Sequence, residues 1–267
     1  MMMYFAMFRI RFINSLQYRA AALAGVVTQF AFGFMFISMY LAFYRTNPSA
    51  FPMEVSELVS YIWVQQAFIM LFVTWFFEGD IFAAITSGQI AYELARPMNL
   101  YSKWFCQCVA SRMSRAVLRC LPILIIGFIL PEPYRLTLPP DAIQFSLFIL
   151  SSVLTLGVVV SFSMLIYITT FYTLSPLGIR IIGAMLADFM AGQIIPLPFF
   201  PDGFRKVAEL LPFAAMQNMP LRIYSGNISG IDALYGILFQ IFWIIILFVT
   251  GRVWMHSTLK KVVVQGG

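Results

Sequence analysis

Asp188 is the only acidic side chain lying well inside an apolar run of this 267-residue chain. An ionised carboxylate in hydrocarbon is costly unless it is protonated, paired or wet. Such a position marks either a polar path through the protein or a hydrogen bond that fixes helix packing. Arg180 stands about two helical turns before it, and Gln193 follows shortly after in the same run. Gln65 and Gln66, adjacent in an earlier apolar run, admit the same two readings. Gln65, Gln66, Asp188 and Gln193 are therefore the candidate lining of a translocation path.

Little else in the chain is equipped to make or break bonds. No G-x-x-x-x-G-K-S/T stretch is present to cradle phosphates, and Gly-Gly occurs only at Gly266 and Gly267. The single histidine, His256, follows the last apolar run beside Ser257, Lys260 and Lys261, a membrane-flank position rather than a catalytic one. Cys106 and Cys108 have no second pair to complete a zinc tetrahedron. With Cys120 they fall in or beside a stretch assigned below to the cytoplasm and are expected as free thiols. Paired intramembrane acids, the usual mark of a proton-coupled carrier, are missing. The expectation is a non-enzyme with no catalytic residue, no metal site and no bound cofactor.

The elements that must position these residues follow from composition. Apolar residues make up 61% of the chain and charged residues only 10%, whereas a soluble chain carries about 25% charged residues. Too little polar surface exists to face water, so the bilayer must be the main solvent. At about 20 apolar residues per crossing, about six spans are expected. They run from Leu23 to Phe43, Leu58 to Phe77, Ser114 to Leu130, Ala142 to Leu174, Ile179 to Ile195 and Leu234 to Val253. Arg119 intrudes on the third and must snorkel or pair. The fifth is halted by Pro196-Leu197-Pro198-Phe199-Phe200-Pro201.

The net charge of +6 does not point to nucleic acid, because the basic residues sort by side. With both termini in the cytoplasm, that side receives Arg9, Arg11, Arg19, Arg96, Lys103, Arg112, Arg115, Arg119, Arg180, Arg252, Lys260 and Lys261. The outside receives only Arg45, Arg135, Arg205, Lys206 and Arg222, as the positive-inside rule requires. Residues 1–20 suit a helix lying on the membrane surface, with Phe5, Phe8, Phe12, Ile13 and Leu16 on one arc, interrupted by Arg9, and Arg11, Asn14 and Tyr18 opposite. The main cytoplasmic excursion is 78–114 and the main external one 200–231. No internal repeat or soluble domain is visible, so 1–267 is read as one membrane domain.

The excursion carries the most specific pattern. Thr86 and Ser87 suit the cap of a short helix, and Pro97 must end that helix or redirect the chain. The series Ser87-Gly88-x-Ile90-x-x-x-Leu94-x-Arg96-Pro97-x-Asn99 resembles the intracellular loop of the type-2 (ABC-2) family of ABC transporter permeases. The stretch Pro196 to Pro201, then Leu211-Pro212-Phe213, then Pro220 to Gly226, is similar to that family's segment before its last span.

The resemblance implies an all-α fold of six transmembrane helices with an N-terminal surface helix, a cytoplasmic coupling helix and external re-entrant helices. It makes Ile85, Ser87, Gly88, Ile90, Glu93, Leu94, Arg96, Pro97 and Asn99 the coupling helix to an ATPase. Pro196, Pro198, Phe199, Phe200 and Pro201 become an external gate. The implied partners are a separate ABC ATPase subunit, which would hold ATP and Mg, and a second permease subunit, identical or a similar sister. The implied location is the inner (cytoplasmic) membrane, in contact with lipid and without nucleic acid. The function expected is export of an amphipathic drug, lipid or peptide. The rivals are a secondary carrier or channel without an ATPase, and a membrane-anchored immunity or assembly protein.

Overall fold

A computed structural model describes residues 2–17, 19–173 and 175–261, and among these every regular element is helical. Tyr18 of the expected surface helix and Leu174 at the end of the expected fourth span lie outside the described residues. Among the described residues three helices are long and apolar enough to cross a membrane. They are α2 (Arg19–Thr46), α8 (Ala142–Thr173) and α12 (Gly230–Leu259).

Burial ranks them. In the apolar window of α8, 61% of residues are buried, against 28% in α2 and in α12. α8 is the hub and the other two are peripheral. The outward faces of α2 and α12 carry Leu23, Val27, Phe43, Leu238, Phe242 and Val253, all exposed, as suits side chains whose solvent is lipid. The chain is a helical membrane protein.

The second expected span is corrected. Leu58 to Phe77 is not one helix but α3 (Val55–Ala67), a break at Phe68, α4 (Ile69–Phe72) and an extended stretch through Glu78. The excursion that follows divides into α5 (Gly79–Thr86) and α6 (Ile90–Leu94). Leu100 already opens α7 (Leu100–Ile129), which runs through the expected third span without interruption. Asn99 caps it, its Oδ1 accepting from the Ser102 amide at 3.0 Å. The expected fifth span is shorter than its apolar run. α9 (Pro176–Met190) has 15 residues, about 22 Å of helix, and Gly192 with φ of +81° turns the chain at its end. α10 (Asp202–Leu210) and α11 (Asn218–Ser225) fill the stretch before α12.

Helix α1 (Met2–Leu16) lies along α7 and leaves Phe5 and Ile10 exposed. It sits with α5 and α6 at one end of the bundle, and α10 and α11 sit at the other. One core surrounds Trp63, which is fully buried against Phe30 and Phe34. α2 reaches it at Gly33, where a Cβ would stand 2.8 Å from the indole. A second core surrounds Tyr167 and Trp104.

Candidate functional site

The unwound stretch 73–78 is the centre of the site, because its backbone amides and carbonyls are bonded by other helices. A buried peptide group without a partner costs about 1–3 kcal/mol, so an unwound segment inside a bundle survives only where side chains replace the helical ladder. Arg112 of α7, only 1% exposed, donates to the Val73 carbonyl at 2.7 Å and the Phe76 carbonyl at 2.7 Å. Its guanidinium also faces the Phe76 ring, and Arg115 lies over the same ring, 4.3 Å from the centroid. Asp188 of α9 accepts from the Thr74 amide at 3.0 Å and the Thr74 hydroxyl at 2.8 Å. The Glu78 amide donates to the Tyr167 hydroxyl of α8 at 2.6 Å.

This arrangement explains why the second span stops early. The amide of Thr74 and the carbonyls of Val73 and Phe76 have charged partners, and charge-assisted hydrogen bonds are stronger than the neutral ladder they replace. Arg112, Thr74 and Tyr167 are functional candidates that sequence reasoning missed. Arg112 registers there only as one of the charges that set orientation. A lone threonine and a lone tyrosine in apolar runs carry no signal.

Two cavities flank this stretch and meet at Trp75, Gln193 and Ile194. The larger, about 630 Å³, is bounded by Phe76, Arg180, Ile181, Met185 and Asp188. The smaller, about 340 Å³, is bounded by Gly25, Gln29, Phe32, Gln66 and Arg119. The four expected path residues thus converge. Gln65, buried, donates to the Gln193 carbonyl at 3.1 Å. Gln66 and Gln193 face the smaller cavity, and Asp188 faces the larger while holding Thr74. Both readings of Asp188 describe atoms in contact, since it ties two elements together and also lines a cleft.

The expected coupling residues form a compact knob directly after the unwound stretch. Ile85 and Ile90 point inward and are buried. Ser87 closes α5, its hydroxyl donating to the Ala83 carbonyl at 2.7 Å, and Thr86 does the same to Phe82 at 3.0 Å. They finish α5 rather than start α6. Gly88 makes the turn with φ of +74°. Glu93 pairs with Lys103 of α7, and Arg11 of α1 pairs with Asp80 at 2.8 Å. Lys103 is itself buried, and Glu93 is the carboxylate that faces its ammonium. Tyr92 and Leu94 are exposed, as are Arg96, Pro97 and Asn99. The knob therefore has an inner apolar side and an outer mixed one.

The expected gate residues lie at the other end. Leu197–Phe199 form one 3-10 turn, with Pro196 and Pro198 buried and Pro201 exposed. Phe199 meets Tyr40 of α2 and Phe51, each with ring centroids at 5.2 Å. Phe200 meets Phe189 of α9 at 5.4 Å and Phe204 of α10 at 5.2 Å. All three cysteines are free. No group of metal-ligating side chains is found among the described residues.

Fold and site together define a helical membrane protein with a cleft beside a clamped, unwound segment. Compared with family models, with curated proteins and with solved structures, the chain has no match.

Proposed function

We propose that this chain is the membrane-spanning permease subunit of an ATP-driven exporter of the ABC-2 type, crossing the inner membrane six times with both termini in the cytoplasm. The crossings are α2, α3–α4 with its unwound end, α7, α8, α9 with the turn after it, and α12. The chain itself hydrolyses nothing. A separate ABC ATPase subunit holds ATP and Mg, and a second permease subunit completes the path.

The observation that carries this reading is the continuity of knob and cleft. Residues 79–99 protrude with Tyr92, Leu94, Arg96 and Pro97 outward. The residues just before them, Trp75, Phe76 and Phe77, wall the larger cavity. A partner that pushes on the knob pulls on 73–78, and Arg112 and Asp188 pass that movement to α7 and α9. An unwound segment suits this duty because it turns about single bonds without breaking a helical ladder. The cleft is lined by aromatic and aliphatic side chains with a few polar ones, which fits an amphipathic cargo.

The test is purification of the chain with an ATPase subunit encoded beside it, followed by ATPase assays with candidate amphiphiles. A stable complex whose hydrolysis is stimulated by cargo is expected. Transport by the chain alone, driven by an ion gradient, would replace this reading with a secondary carrier.

A further inference from the structure

The smaller cavity combines three observations. Gln29 of α2 is 5% exposed, faces the cavity, and has no hydrogen-bond partner for either its Oε1 or its Nε2. Arg119 of α7 is the only charged residue lining the cavity, and among the described residues it has no carboxylate partner and a buried Nε without an acceptor. Gln193 presents an Oε1 without a donor. A buried primary amide left unbonded on both atoms is rare unless a ligand or water completes it. An isolated guanidinium at membrane depth calls for an anion.

The cavity is also graded in polarity. Thr28, Gln29 and Arg119 stand near Gly25, where a Cβ would lie 2.5 Å from Arg119 Cζ, so the guanidinium rests directly against the α2 backbone there. From Gly25 to Phe36 α2 climbs about 16 Å, and the wall becomes Phe32, Phe36 and Ile69, with Trp75 53% exposed at the side. The neighbouring cavity adds Arg180 and one acid, Asp188, whose Oδ1 is already engaged by Thr74. The cleft as a whole favours negative charge.

We infer that this cavity binds an anionic lipid, its phosphate or carboxylate held by Arg119 and the Gln29 Nε2 amide, with Gln193 Oε1 placed to accept from a headgroup hydroxyl, and its acyl chain lying along Phe32, Phe36 and Ile69. The inference names the chemistry of the cleft that the proposed function treats as the path. It rests on that reading only for the purpose of binding, because binding itself needs neither ATP nor a partner.

The test uses the full chain in a neutral detergent, titrated with phosphatidylglycerol or phosphatidylcholine and followed by native mass spectrometry. Phosphatidylglycerol should be retained and phosphatidylcholine stripped, with inorganic phosphate unable to compete. Arg119→Gln should weaken retention about tenfold, as loss of a charge-assisted contact does, whereas Arg45→Gln at the exposed far end of α2 should not. Gln29→Leu keeps the charge and removes the unbonded amide. It should weaken retention several-fold without lowering the melting temperature, which keeps the inference testable if Arg119→Gln does not fold. Equal retention of both lipids, unchanged retention in Gln29→Leu, or lipid-free dimers closed over Gly25 would overturn it. An active exporter that retains no phosphatidylglycerol would discard the site and leave the proposed function standing.

Discussion

Arg112 and Asp188 grip the same unwound segment through opposite halves of its peptide groups. The guanidinium takes the carbonyls of Val73 and Phe76, while the carboxylate takes the amide of Thr74. One comes from α7 and the other from α9, so the segment is a strap between two helices. Replacing Arg112 by Met keeps much of the volume and removes the donors. Each orphaned carbonyl should cost about 1–3 kcal/mol, seen as a lower melting temperature in detergent and faster proteolysis near Trp75. An unchanged melting curve would show that the strap is not held this way.

Asp188 separates the tie from the path. Asp188→Asn keeps an acceptor for the Thr74 amide and should remain well folded, whereas Asp188→Leu leaves that amide unbonded and should lose about 1–3 kcal/mol. If the carboxylate also lines a working path, Asp188→Asn should change the transport rate or shift cargo preference while its melting temperature holds. Normal transport by a folded Asp188→Leu protein would remove the path role.

The knob predicts a division of labour between neighbouring residues. Glu93 faces Lys103, so Glu93→Gln should loosen the knob and raise its hydrogen exchange. Tyr92 and Arg96 are exposed, Arg96 at the rim of the groove beside α1, and neither joins an ion pair among the described residues, so the double change Tyr92→Ala with Arg96→Ala should leave melting unchanged. The same double variant should lower cargo-stimulated hydrolysis by the partner ATPase about tenfold if these side chains form the hot spot of the contact. Full stimulation in that variant would place the contact elsewhere.

Gln240 tests the core around the hub helix. Its Nε2 donates to the Ala215 carbonyl at 3.0 Å and to the Thr155 hydroxyl at 2.9 Å, and its Oε1 accepts from Ser151 at 2.9 Å. It joins α8, α12 and the turn before α11. Gln240→Leu should lower stability by about 1–3 kcal/mol by orphaning those groups, with α12 still inserted in the membrane. Melting in detergent measures it.

Topology is checked by single cysteines in a background lacking Cys106, Cys108 and Cys120. A probe at Asn47, just after α2, should react with an impermeant reagent from outside. A probe at Gly79, where an added Cβ meets nothing within 4 Å, should react only after permeabilisation. Labelling at Gly79 in intact cells would invert the orientation.

The sequence by itself determined that the chain is helical and lives in a bilayer, because hydropathy sums each residue's own solvation and needs no partner. It also placed α8 almost to the residue, since no charge or proline interrupts that run. The stop of α6 ahead of Pro97 was legible because a proline acts locally, whereas the start of α7 at Leu100, well before the expected Ser114, was not. Nor was the break in the second span. Whether 73–78 winds into helix depends on donors and acceptors far along the chain, Arg112 being 39 residues from Val73 and Asp188 114 residues from Thr74. The same holds for Gln29 and Gln240, two glutamines in apolar runs. Only packing left one amide fully bonded and the other facing a cavity with none of its bonds made.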